Sequence, residues 1–184
     1  MKNFFLVAVM AGLLSCSLAG AQQLSFSTNA VDWANLGTAN AEAALGLGQH
    51  WSVNVSGKYN PFSWGEGESR VQSRQRSVSG GFRYWPWNVW SGWWAGADAR
   101  YQEYNTGGYA SDLTREGDRV GGVLKAGYAY MLTSHLNLDF GFGLWGGYDV
   151  YTVYECPTCG RTVEDGAKYF VKASDFILSL SYIF

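Results

Sequence analysis

Apolar and polar residues alternate along the chain with a period of two. Trp51, Val53, Val55, Gly57 and Tyr59 fall on one face, and Ser52, Asn54, Ser56, Lys58 and Asn60 on the other. Phe176, Leu178, Leu180, Tyr182 and Phe184 likewise oppose Asp175, Ile177, Ser179, Ser181 and Ile183. Successive side chains of a strand point to opposite faces, so the pattern predicts half-buried β-strands. The alternation recurs over residues 78–84, 93–101, 124–130 and 136–144, with weaker versions over 24–31 and 40–47, which makes eight expected strands. No helical period, internal repeat, linker or second domain is visible. Residues 48–50, 86–91 and 132–135 read as short turns, whereas 60–76, 105–118 and 149–168 read as long connections. Only the first connection of the long set, around Asn35, Leu36, Gly37 and Thr38, is short. Strands joined this way form an up-and-down meander with its long connections at one end. Lengths near ten residues suit tilted spans, so the expected fold is all-β: an eight-stranded antiparallel up-and-down transmembrane β-barrel.

Composition narrows the choice. The 184 residues are 17% aromatic and only 15% charged, and they include 24 glycines. A typical globular chain carries about 25% charged residues and about 7% glycine, so a sheet with one very apolar face fits best. No run of about 18 apolar residues lies in the chain, which excludes a helical membrane protein. The formal charge of −2 gives no basic excess, so nucleic acid is not an expected partner.

Alternation alone leaves open which face is outside. On the polar face Lys58, Arg83, Asp98, Arg100, Lys125 and Asp139 interleave with Gly81, Gly96, Gly127, Gly141 and Gly143. Long charged side chains mixed with glycine suit the filled interior of an eight-stranded barrel. Aromatics also collect at both strand ends. Trp51, Tyr84, Trp85, Trp93, Tyr130 and Tyr182 are expected at the short-turn end, and Tyr59, Phe62, Tyr101, Tyr104 and Tyr148 at the other. Two such belts are what two membrane interfaces favour.

The first residues carry an export signal. Lys2 supplies a positive start, residues 4–14 an apolar stretch, and Ala19-Gly20-Ala21 a small-x-small cleavage pattern. Residues 1–21 are expected to leave as a signal peptide and 22–184 to form the barrel domain. Lipoprotein processing at Cys16 is the rival, although Leu14 is large for that motif.

The whole mature chain resembles small eight-stranded outer-membrane proteins of the OmpA and OmpX type. Three elements carry a narrower likeness: Ser56-Gly57-Lys58-Tyr59-Asn60-Pro61-Phe62, Arg83-Tyr84-Trp85, and Tyr154-Glu155-Cys156-x-x-Cys159-Gly160. In these the chain is similar to an uncharacterised family of Gram-negative outer-membrane proteins known only as a domain of unknown function. Phe176, Leu178, Leu180, Tyr182 and Phe184 resemble the C-terminal aromatic signature that barrel-assembly machinery reads. The resemblance implies an outer-membrane location and, since some members are encoded near surface-fibre genes, a surface protein or fibre as partner. It implies no activity.

Cys156 and Cys159 are expected to form a local disulfide in an exported protein. The alternatives are free thiols and a zinc knuckle, but one CxxC gives half the thiolates, and His50 and His135 fall at the opposite end. Zinc would need a second chain or acidic neighbours such as Glu155 and Glu164. A thioredoxin-like pair lacks its βαβ setting. No metal site or cofactor is therefore expected. Asp149, Glu155, Glu164 and Asp165 are the carboxylates of the last long connection, and they show no dyad spacing. The interior charges read as a salt-bridged plug, with a narrow pore as the alternative. Arg70, Arg74 and Arg76 could grip lipopolysaccharide phosphates or pair with Glu66 and Glu68. Trp64, Tyr109, Tyr151 and Tyr154 could form a recognition patch or rest on the outer leaflet. The expected function is a non-catalytic outer-membrane barrel with a structural or surface-interaction role, in contact with outer-membrane lipids and lipopolysaccharide. A transport or small-ligand-binding barrel is the alternative, and a lipid- or peptide-hydrolysing enzyme stands third.

Overall fold

The computed structural model describes residues 24–65, 70–108, 113–156 and 160–184. The expected signal peptide, 1–21, lies outside these residues. Ten elements follow in order: β1 (Leu24–Asn29), α1 (Ala30–Ala34), β2 (Ala39–Gly46), β3 (Trp51–Asn60), β4 (Ser63–Trp64), β5 (Val71–Tyr84), β6 (Gly92–Gly107), β7 (Thr114–Met131), β8 (Leu136–Tyr154) and β9 (Thr162–Ile183). Every pairing is antiparallel, and β1 pairs with β9, so eight strands close into a ring. The two-residue β4 pairs only with β5 and extends the β3–β5 hairpin.

Polarity decides which way each strand faces. Val53, Phe82, Leu124, Phe142 and Leu180 stand exposed on the outside of the ring, while Ser52, Asn54, Arg83, Asp98 and Lys125 are buried within it. Glycine sets how closely the walls approach. Gly121 and Gly147 face each other across β7 and β8. A Cβ on Gly147 would stand 2.1 Å from the Val120 carbonyl oxygen and 2.7 Å from Gly121 Cα. Gly147→Val is expected to cost about 1 to 3 kcal/mol, because the clash is with backbone that has nowhere to move. A lowered urea midpoint of the chain folded in detergent micelles checks this. An unchanged midpoint contradicts it.

Buried tryptophans gather at the short-turn end of the ring. Trp85, Trp90 and Trp94 pack there with Ala44, Ala129 and Ile183. A left-handed backbone at Trp90 (φ 70°) folds the β5–β6 turn beneath the ring. The Asn137 side-chain amide donates to the Trp90 carbonyl, and Trp85 Nε1 donates to Ser52 Oγ at 3.0 Å. Trp85, expected in the outer aromatic belt, is thus 1% exposed and faces inward. Its indole N–H finds a buried acceptor inside the ring. Tyr104 is a second correction, for it turns inward to reach Asp149. The other residues of both belts are exposed on the outer face.

The wall is uneven in height. Strand length rises around the ring from 6 residues in β1 to 22 in β9. At the seam between these two, β1 pairs only with residues 179–183 of β9. The expected first strand stops at Asn29, whose side chain caps α1 by accepting from the Val31 N–H. Five helical residues are too few to display a 3.6-residue period. The expected long connections, 60–76, 105–118 and 149–168, are mostly strand, since β7 begins at Thr114, β8 runs to Tyr154 and β9 begins at Thr162. In these upper stretches polar side chains occupy both faces, so hydropathy stops alternating while pairing continues.

Candidate functional site

Lys58, Arg83, Asp98, Arg100, Lys125 and Asp139 all point into the ring. Lys58 Nζ lies 2.8 Å from Asp32 and 3.2 Å from Asp175, and Arg100 Nη2 lies 2.9 Å from Asp175. Arg83 pairs with Glu42, and Lys125 pairs with Asp98 and, at 3.9 Å, with Glu42. Asp139 accepts from Ser181 Oγ. Sequence reasoning did not single out Asp32, Glu42 and Asp175 as partners. Asp32 sits in the short helix, Glu42 in a weakly patterned strand, and Asp175 on the polar face beside an uncharged stretch. Two tryptophans fill the remaining width: Arg83 stacks on Trp94 at 4.5 Å and Arg100 on Trp145 at 5.2 Å. The space left among these charges is a cavity of about 50 Å³.

Above these ion pairs a second cluster lines the inner face of the high wall. Asp149, 1% exposed, accepts from Tyr104 Oη at 2.9 Å and pairs with Arg115 and Arg119, each at 3.3 Å. Arg119 lies over the Tyr104 ring and Arg115 over the Tyr151 ring, both at 3.6 Å. Lys168 and Lys172 face the same side, over Tyr151 at 5.2 Å and Trp145 at 4.8 Å. Tyr151 Oη donates to Glu164 and Tyr154 Oη to Glu116, both at 2.7 Å. These bonds to carboxylates push both phenols above the ordinary tyrosine range.

Several expected loop residues belong to strands. Arg74 and Arg76 sit in β5, and Tyr151 and Tyr154 in β8. Arg76 pairs with Glu103 across the β5–β6 ladder. Glu66, Glu68 and Tyr109 lie outside the described residues. Trp64 is in β4 and 56% exposed, and Arg70 immediately precedes β5. The carboxylates of the last long connection are spread apart in role: Asp149 is held by cations, Glu155 pairs with Arg161 at 3.4 Å, and Asp165 is exposed. His50 and His135 sit at the short-turn end, each with Nδ1 2.9 Å from a backbone carbonyl oxygen. Among the described residues no group of three or more His, Cys, Asp or Glu could hold a metal ion.

A family model described as "Protein of unknown function (DUF3575)" matches residues 4–184. The chain belongs to the DUF3575 family. No curated protein and no solved structure matches it. Of the expected cysteine pair in this DUF3575 chain, Cys156 stands at the end of the β8–β9 hairpin just past Tyr154, and Cys159 lies outside the described residues. The C-terminal residues Phe176, Leu178, Leu180, Tyr182 and Phe184 form an outward apolar stripe on β9 beside β1.

Proposed function

We propose that this DUF3575 protein is an integral outer-membrane β-barrel of the OmpA and OmpX kind, non-catalytic, whose tall end is a surface for interaction outside the cell. One observation carries this: below the tall end the outer face is apolar all the way round, while the charges at that height lie inside, ion-paired or hydrogen-bonded. A soluble domain seldom exposes a contiguous apolar patch beyond a few hundred square ångströms. A lipid-facing band bounded by aromatic belts accounts for it, with Trp51, Trp93 and Tyr130 at the short-turn boundary and Tyr59, Tyr101 and Tyr148 at the other.

The rest of the proposal follows from that orientation. Residues 1–21 direct export and are removed, the short turns lie in the periplasm, and the stripe ending at Phe184 is read by barrel-assembly machinery. Arg74 and Arg76, outside the wall, stand near the outer tyrosine belt, since Arg76 is in register with Tyr59. They meet lipopolysaccharide phosphates there. Cys156 and Cys159 close a disulfide at the hairpin tip, and a surface protein or fibre docks at this end. The ion-paired interior favours a plug over a pore. Purified chain is therefore expected to float with phospholipid vesicles in a density gradient and to give no unitary conductance in a planar bilayer. Chain left at the bottom of the gradient contradicts the membrane reading. A steady conductance step contradicts the plug and restores transport.

A further inference from the structure

The seam between β9 and β1 leaves the backbone of β9 open on one side. Below the seam's step, even-numbered residues of β9 face β1: the Phe184 N–H donates to the Leu24 carbonyl at 2.8 Å. The Asn29 side chain takes the next two groups, accepting from the Leu178 N–H and donating to the Phe176 carbonyl, each at 3.0 Å. A bulge then leaves Ser174 as an extra residue, as Gly143 pairs with Asp175 and Leu144 with Ala173. One extra residue shifts the alternation of the ladder. Above it Asp165, Ala167, Tyr169, Val171 and Ala173 turn their N–H and C=O groups away from β8. Among the described residues no strand pairs with this stretch. Tyr169 is 85% and Val171 81% exposed, more than any other large apolar side chain described.

Such an edge is a template for another strand. The inner face beside it says which strand. Lys168 and Lys172 rest on aromatic rings, and no carboxylate among the described residues pairs with either. Two copies joined along this edge would bring lysines together, and like charges directly opposite destabilise a ladder. We propose that residues 165–173 of β9 bind an extended segment of a partner polypeptide as an added strand. The segment carries carboxylates at alternate positions toward Lys168 and Lys172, and apolar residues beside Tyr169 and Val171. The inference rests on the reading that the tall end meets a partner, and names that partner's chemistry.

The test uses the full mature chain folded in detergent micelles and a fluorescein-labelled nine-residue peptide of alternating valine and glutamate. Anisotropy is expected to show saturable binding of this peptide and not of its lysine counterpart. Ala167→Pro removes one N–H on the open side and leaves the β8 ladder intact, so affinity falls about tenfold or more. Lys168→Glu with Lys172→Glu transfers the preference to the lysine peptide. No binding, equal binding of both peptides, full binding by Ala167→Pro, or edge-to-edge dimers of the chain would each overturn the proposal. Mobility of the same samples on unheated gels reports the barrel itself, so failure of either idea is read separately.

Discussion

Replacing Asp175 with alanine is expected to destabilise the folded ring by about 3 to 5 kcal/mol, because it leaves buried positive charge without its counter-ion. The Asp175 carboxylate is 4% exposed and holds Lys58 at 3.2 Å and Arg100 at 2.9 Å. Ser174 Oγ also donates to it, at 3.0 Å. Lys58 would keep Asp32 at 2.8 Å. Arg100 would lose the only carboxylate that pairs with it among the described residues and remain beneath Trp145. Urea unfolding in micelles, followed by tryptophan fluorescence, measures the loss. Asp165→Ala, on the exposed outer face of the same strand, should leave the midpoint in place. Equal stability of the Asp175→Ala chain contradicts a load carried by the ion-paired interior.

Leu124→Arg gives the second large effect. Leu124 is 67% exposed on the outside of β7. It lies about midway between Tyr130 in one belt and Val120, the register partner of Tyr148 in the other. At the middle of a bilayer an outward arginine costs about 2 to 4 kcal/mol, falling to roughly 0 to 1 near the interface. On a surface facing water it would stay within about 0.5 kcal/mol. The two environments therefore predict different numbers for one substitution. Unfolding titrations in phospholipid vesicles should show the large loss for Leu124→Arg and a small one for Val150→Arg, nearer the tall end. Equal, small losses at both sites contradict a lipid-facing band.

The lower part of every ring strand was legible because one face is apolar and the other polar, and period two survives wherever the two faces meet different surroundings. It fails at the tall end. There Asp118 and Asp165 point outward while Asp149 and Lys168 point inward, so the ladder continues without a hydropathy signal. The six interior charges could be named from parity alone, yet which carboxylate each cation meets could not. Asp32 reaches Lys58 only because Asn29 caps a single helical turn above the seam. Trp94 and Trp145 lay on the polar parity and were readable as inward. Trp85 was not, since its placement depends on how the β5–β6 turn folds beneath the ring. The open edge of β9 was beyond the sequence altogether, because it arises from the unequal lengths of two strands far apart in the chain.

The central claim is that an apolar outer face sits in the outer membrane around a closed, charged interior. Envelope fractionation of cells expressing the chain, followed by gels of heated and unheated samples, tests it most directly. The protein is expected to partition with the outer membrane and to migrate faster unheated than after boiling, as the folded ring resists the detergent. A soluble periplasmic band with the same mobility in both samples would contradict it.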